Sequence, residues 1–63
     1  MTKEYMDSLE SLVDQLTLSA VLEMLERISH KKAENLRTHW QDENTAKLWD
    51  KAARQIEQIN IDV

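Results

Sequence analysis

The feature that most constrains this chain of 63 residues is that it contains neither glycine nor proline. Two-residue β-hairpins need a positive φ, which glycine adopts at the lowest cost. Strand-like alternation of apolar and polar residues is also missing, whereas residues with a high helix propensity (Leu, Ala, Glu, Lys, Gln, Arg and Met) dominate the chain. The sequence therefore predicts an all-α fold.

Apolar residues recur at spacings of three and four in successive segments, which indicates two to three amphipathic helices. We predict them near 4–16, 18–40 and 44–60. Thr17 is the expected N-cap of the second helix, and Asp42 or Asn44 is the expected N-cap of the third. The polar run Gln-Asp-Glu-Asn breaks the apolar period, but it contains nothing that forbids a helix. One long helix running through it is therefore an open alternative.

The helices should pack as a bundle in one small domain, residues 1–63, because most large apolar residues of the second helix fall in one sector. A chain this short buries only about 60% of its unfolded surface. Without cysteine it has no disulfide or thiolate-bound metal to stabilise it. We therefore expect dimerisation to complete the bundle. The candidates for its core or interface are Leu18, Leu22, Leu25, Ile28, Leu36, Trp40, Trp49, Ala53 and Ile56.

The segment from Glu26 to Trp40 holds both histidines, which raises the question of a metal site. Glu26, His30 and Glu34 share one helix face through steps of four, but no Glu-x-x-His motif is present. His39 falls on the flank of the apolar sector, where we expect partial burial. We predict no metal site, no cofactor and no catalytic residue.

Acidic and basic residues alternate along the same segment, which is typical of a solvated helix face with local ion pairs. The spacing predicts pairs of Glu34 with Lys31 and with Arg37, and a further pair of Glu23 with Arg27. This interpretation accounts for the dense charge without any ligand.

The sequence is compatible with two functions, and its formal net charge of −4 helps to decide between them. The first is a protein–protein interaction module, an adaptor or regulator of a larger protein, which is a homodimer without catalytic activity. The alternative is a small DNA-binding regulator that uses its third helix in a helix-turn-helix-like arrangement. Affinity for DNA rests largely on neutralising phosphates, so the acidic charge disfavours a nucleic-acid partner. The side chains that would serve the alternative are Lys47, Lys51, Arg54 and Gln58.

The beginning of the chain, with the sequence MTKEYMDSLE, does not resemble a basic leader followed by an apolar run. No apolar stretch approaches the ~20 residues that span a bilayer. The polar side of the first helix is acidic, so anionic lipid would repel it. We expect a cytoplasmic protein that does not associate with membranes.

Overall fold

The computed structural model describes residues 2–63 and contains three α-helices, α1 (Lys3–Gln15), α2 (Leu18–Thr38) and α3 (Glu43–Glu57). These residues include no β-strand. The predicted all-α fold is confirmed, and the break after α2 excludes one long helix through the polar run. Helices α2 and α3 each end a few residues earlier than the apolar period predicts.

Each helix is preceded by an N-cap residue, whose side-chain oxygen accepts a hydrogen bond from a backbone N–H of the first turn. The Thr17 hydroxyl accepts from the Ala20 N–H at 3.0 Å, and the Asp42 carboxylate accepts from the Thr45 N–H at 3.2 Å. Thr2 caps α1 in the same way. Such caps contribute about 1 kcal/mol each, because they satisfy a backbone N–H that has no partner within the helix. The predicted cap at Thr17 is confirmed, and of the two candidates for α3 the cap is Asp42.

The turn between α2 and α3 reverses the chain without glycine. Gln41 takes a φ of 50°, in the left-handed region. This conformation costs an ordinary residue roughly 1–2 kcal/mol. The turn is closed by a hydrogen bond of 2.9 Å from the Asp42 N–H to the Leu36 carbonyl. A left-handed residue and the cap that follows it therefore end α2 and start α3.

Helices α2 and α3 pack along each other as an antiparallel hairpin, and this is the main tertiary contact of the chain. Arg37 near the end of α2 contacts Glu43 at the start of α3. At the other end, the Ser19 N–H near the start of α2 donates to the Val63 carbonyl, beyond α3. The hairpin thus extends over nearly the whole of α2.

The contact between the two helices consists of small side chains. Ala33, Ala46 and Ala53 are 1%, 0% and 0% exposed, and Ser29 is 4% exposed. Val21 is buried as well, but no large side chain in residues 2–63 is fully buried. Small residues let two helix axes approach closely. The interface is therefore tight, but it removes little apolar surface from water.

Helix α1 lies apart from this hairpin. It contacts α2 at few points and α3 not at all, and none of its residues is buried. The molecule measures 37 × 27 × 15 Å, so it is thin in one direction. Its radius of gyration is 13.6 Å, whereas a compact domain of this length has about 11 Å. A single copy is therefore an extended layer of helices without a closed core.

If close approach through alanine holds the hairpin together, Ala53→Leu should lower the free energy of unfolding by about 1–3 kcal/mol, because the added atoms force α2 and α3 apart. Lys51→Leu is the matched control, since it places the same side chain at an exposed position of α3 and should change stability by less than ~0.5 kcal/mol. Urea unfolding at one fixed protein concentration measures both. Equal effects would show that Ala53 does not lie at a close helix contact.

Candidate functional site

Large apolar side chains remain exposed along one side of α1. Tyr5, Leu9, Leu12 and Leu16 recur at spacings of four, three and four and are 69%, 41%, 42% and 45% exposed. We call these four residues the α1 stripe. A helix with such a stripe normally buries it against a neighbour. Within residues 2–63, α1 contacts only α2, and only at few points, so much of the α1 stripe stays open to solvent.

A second exposed apolar area lies on the hairpin. Leu25 and Ile28 of α2 are 41% and 46% exposed, Trp49 of α3 is 36% exposed, and Ile56 of α3 is half-buried. We call these four residues the hairpin apolar face. They lie beside the buried alanine contact, so they are partly covered by the neighbouring helix and partly open to solvent.

Charged side chains join α2 to α3 on the other side of the hairpin. The Arg37 Nε donates to both carboxylate oxygens of Glu43, at 2.9 and 3.1 Å, and its Nη2 donates to Asp50 at 2.6 Å. His30 lies between Asp50 and Glu26, with nitrogen–oxygen distances of 3.8 Å to each. These five residues form the charged face.

Arg37 determines the electrostatics of the charged face. Its hydrogen bonds lower the pKa of Glu43 and the pKa of Asp50 below their ordinary values, against an opposing effect of desolvation. The same bonds, first that to Glu43 and then that to Asp50, raise the pKa of Arg37 above its ordinary value. Arg37 therefore holds both carboxylates of α3 in their ionised form.

The two faces of the hairpin point in opposite directions. At about 100° per residue, Ile28 lies roughly 180° from Arg37 around α2. Around α3, Ile56 lies roughly 140° from Glu43 by the same measure. The hairpin is therefore a layer two helices wide, charged on one side and apolar on the other.

The structure distributes the predicted core and interface residues over three environments. Ala53 is buried between the helices. Leu18, Leu22, Leu36 and Ile56 are half-buried, and Leu25, Ile28, Trp40 and Trp49 are exposed. Trp40, at 75%, is the most exposed of them, because α2 ends before it. Their role in an interface between molecules stays a prediction.

Of the residues on which the hairpin contact rests, the candidates from the sequence include Ala53 but not Ser29, Ala33 or Ala46. Ser29 and Ala33 are four residues apart on α2, and Ala46 and Ala53 are seven apart on α3, so each pair lies on one side of its helix. This spacing of small residues is a signal for close helix packing. The prediction of core residues followed instead the larger apolar residues in the neighbouring sectors of each helix.

The charged segment of α2 differs in part from the predicted pattern. The pair of Arg27 with Glu23 is present at 3.0 Å. Arg37 pairs with α3, not with Glu34, and Glu34 forms no ion pair with Lys31 either among the described residues. The expected partial burial of His39 is wrong: α2 ends at the preceding residue, and the His39 side chain is exposed. Contacts between helices therefore override the local spacing.

The α3 residues proposed for DNA contact are all exposed, namely Lys47, Lys51, Arg54 and Gln58. They share that side of α3 with Glu43 and Asp50, whose carboxylates are held ionised by Arg37. This exposed side of α3 therefore carries both positive and negative charges.

The surface of residues 2–63 has no pocket. The same residues hold no cluster of three or more His, Asp or Glu side chains arranged for a metal ion. Neither does this part of the chain contain a helix with the length and apolar character needed to cross a membrane. No protein family, curated protein or solved structure matches the sequence or the fold.

The charged face predicts how stability depends on pH. A carboxyl whose pKa is lowered by folding contributes stability above its unfolded value, and this stability is lost as the pH falls through the folded value. The ordinary values are 4.5 for Glu43 and 3.8 for Asp50. The melting temperature should therefore fall as the pH drops below about 4.5, and Arg37→Gln should make this fall smaller while lowering stability at pH 7.

Arg27→Gln is the control for this experiment, because Arg27 forms an exposed pair within one helix. Melting curves at pH 7, 5, 4 and 3 compare both variants with the parent chain at one protein concentration. If Arg37→Gln keeps the pH dependence of the parent chain, Arg37 does not bridge α2 and α3.

Proposed function

We propose that this protein is a small helical protein–protein interaction module that works as a homodimer. In this proposal it has no catalytic activity of its own and acts in the cytoplasm as an adaptor or regulator of a larger protein. The excess of exposed surface on a single copy carries the proposal.

The accessible surface of one copy is 5367 Å². A folded monomer of 7.4 kDa is expected to expose about 4,200 Å². The difference, about 1,200 Å² per chain, is surface that a compact protein of this size would have covered. Single exposed apolar residues are ordinary, but a contiguous apolar area of several hundred Å² marks a place where another molecule binds.

The size of this excess fits association of two copies. If each copy buries its extra surface of about 1,200 Å² against the other copy, the interface buries about 2,400 Å² in total, within the range of permanent homodimers. The small buried side chains of the hairpin give the same indication, since they supply little of the apolar burial that a stable monomer needs. Association is the remaining source of stability in a chain without cysteine.

A homodimer formed through the apolar areas leaves the charged face directed outwards. That surface carries the ion pairs of Arg37 and, beside them, the polar row of α3 that includes Lys47 and Lys51. Charges arranged on a rigid helical layer favour a partner of complementary charge and orient it. This arrangement supports a role as an adaptor or regulator.

DNA binding through α3 is the second candidate, because Lys47, Lys51 and Arg54 are exposed on one side of that helix. The net charge of −4 and the two ionised carboxylates of the charged face weaken it. The antiparallel packing of α2 on α3 also differs from the crossing of a helix-turn-helix pair, which is nearer a right angle.

Sedimentation equilibrium tests the proposal. We expect a mass of 14.8 kDa, twice the chain mass of 7.4 kDa, at micromolar concentration. Duplex DNA added at low salt should leave this mass unchanged. A mass of 7.4 kDa at every concentration would refute the homodimer, and a complex with DNA that weakens steeply with salt would favour the second candidate.

A further inference from the structure

We infer that the two copies exchange their first helices, so that the α1 stripe of each copy packs on the hairpin apolar face of the other. This inference rests on the proposed homodimer and says which surfaces meet in it. Three arrangements would cover apolar surface: α1 against α1, hairpin against hairpin, and α1 against the partner's hairpin. Charge and length favour the last of these.

Charge disfavours the packing of α1 on another α1. The helix carries four acidic residues, Glu4, Asp7, Glu10 and Asp14, and one basic residue, Lys3, for a net charge of 1 − 4 = −3. Around α1, Asp7 and Asp14 lie opposite the α1 stripe, whereas Glu4 and Glu10 lie about 80–100° from its two edges. Two α1 helices packed through their stripes would therefore place Glu4 and Glu10 of both copies along one contact, where like charges repel. The α1 stripe needs a surface without an acidic excess.

The hairpin is such a surface. Residues 18–57 hold seven acidic and seven basic residues, so their net charge is 7 − 7 = 0. Around α2, Lys32 lies between Leu25 and Ile28, and Lys31 lies next to the same sector. One lysine therefore lies within the hairpin apolar face and a second lies at its edge, and their charge complements that of Glu4 and Glu10 beside the α1 stripe.

The lengths of the elements also match. Helix α1 has 13 residues and α3 has 15, so at 1.5 Å per residue both are about 20 Å long. An α1 helix laid over α2 and α3 covers the hairpin apolar face along most of its length. It adds the second layer that a molecule only 15 Å thick lacks.

The exchange is reciprocal, as a two-fold interface requires. Each copy gives one α1 helix and receives one, so the dimer contains two identical docking contacts. A hairpin packed on a second hairpin would instead leave both α1 stripes exposed, which makes that arrangement the less favourable one.

The experiment uses full-length chains with one charge placed in either surface. Leu9→Glu changes the α1 stripe. Ile28→Glu changes the hairpin apolar face, and Trp49→Glu is a second variant of that face on the other helix. Ser11→Glu is the matched control, because it adds the same charge to α1 about 160° from Leu9. Each protein, and each equimolar mixture after joint unfolding and refolding, is analysed by sedimentation velocity, with helix content from circular dichroism.

We expect Leu9→Glu, Ile28→Glu and Trp49→Glu each to weaken self-association at least about tenfold, whereas Ser11→Glu dimerises like the parent chain. An equimolar mixture of Leu9→Glu with Ile28→Glu, or with Trp49→Glu, should regain dimer. In that heterodimer an unchanged α1 meets an unchanged hairpin apolar face at one of the two contacts.

The other arrangements give different results. Pairing of α1 with α1 would leave Ile28→Glu and Trp49→Glu dimeric, and pairing of hairpins would leave Leu9→Glu dimeric. Failure of both mixtures to regain dimer contradicts the exchange, while a parent chain that is dimeric preserves the proposed function. A monomeric parent chain refutes both.

Discussion

The close contact of α2 with α3 through alanine is the interaction on which the rest of the structure depends. Ala33, Ala46 and Ala53 are buried in this contact, and their small side chains let the two helices approach closely. Such a contact orients the helices firmly, but it buries few large apolar groups, which are the main source of stability in small domains. The residues of the hairpin apolar face, Leu25, Ile28, Trp49 and Ile56, lie to one side of this contact and stay partly open to solvent.

The ion pairs of Arg37 complete the hairpin on its other side. They join the end of α2 to two positions of α3, and they keep one side of the hairpin charged. Folding of the hairpin alone leaves the apolar side of this layer open to solvent. In the arrangement that we propose, the exposed stripe of α1 from a second copy covers that side.

The local parts of this structure were predictable from the sequence. Helix propensity and the apolar period determine the three helices, and caps such as Thr17 and Asp42 act within a few residues of the chain, so a pattern of neighbours contains the information. The pairing of Arg37 with Asp50, 13 residues away, was not predictable in this way. Local spacing offered Glu34 as a partner, and only the packing of α2 on α3 decides between the two. Of the alanine contact only Ala53 was among the candidates, because the burial of small residues depends on which helices meet.

If a single copy is incomplete, as we propose, its folding is coupled to its assembly. The melting temperature measured over a hundredfold range of protein concentration tests it most directly. Coupled folding and assembly predict a melting temperature that rises steadily with concentration, since mass action favours the associated state. A melting temperature that stays constant over that range, together with the mass of a single chain, would contradict the account.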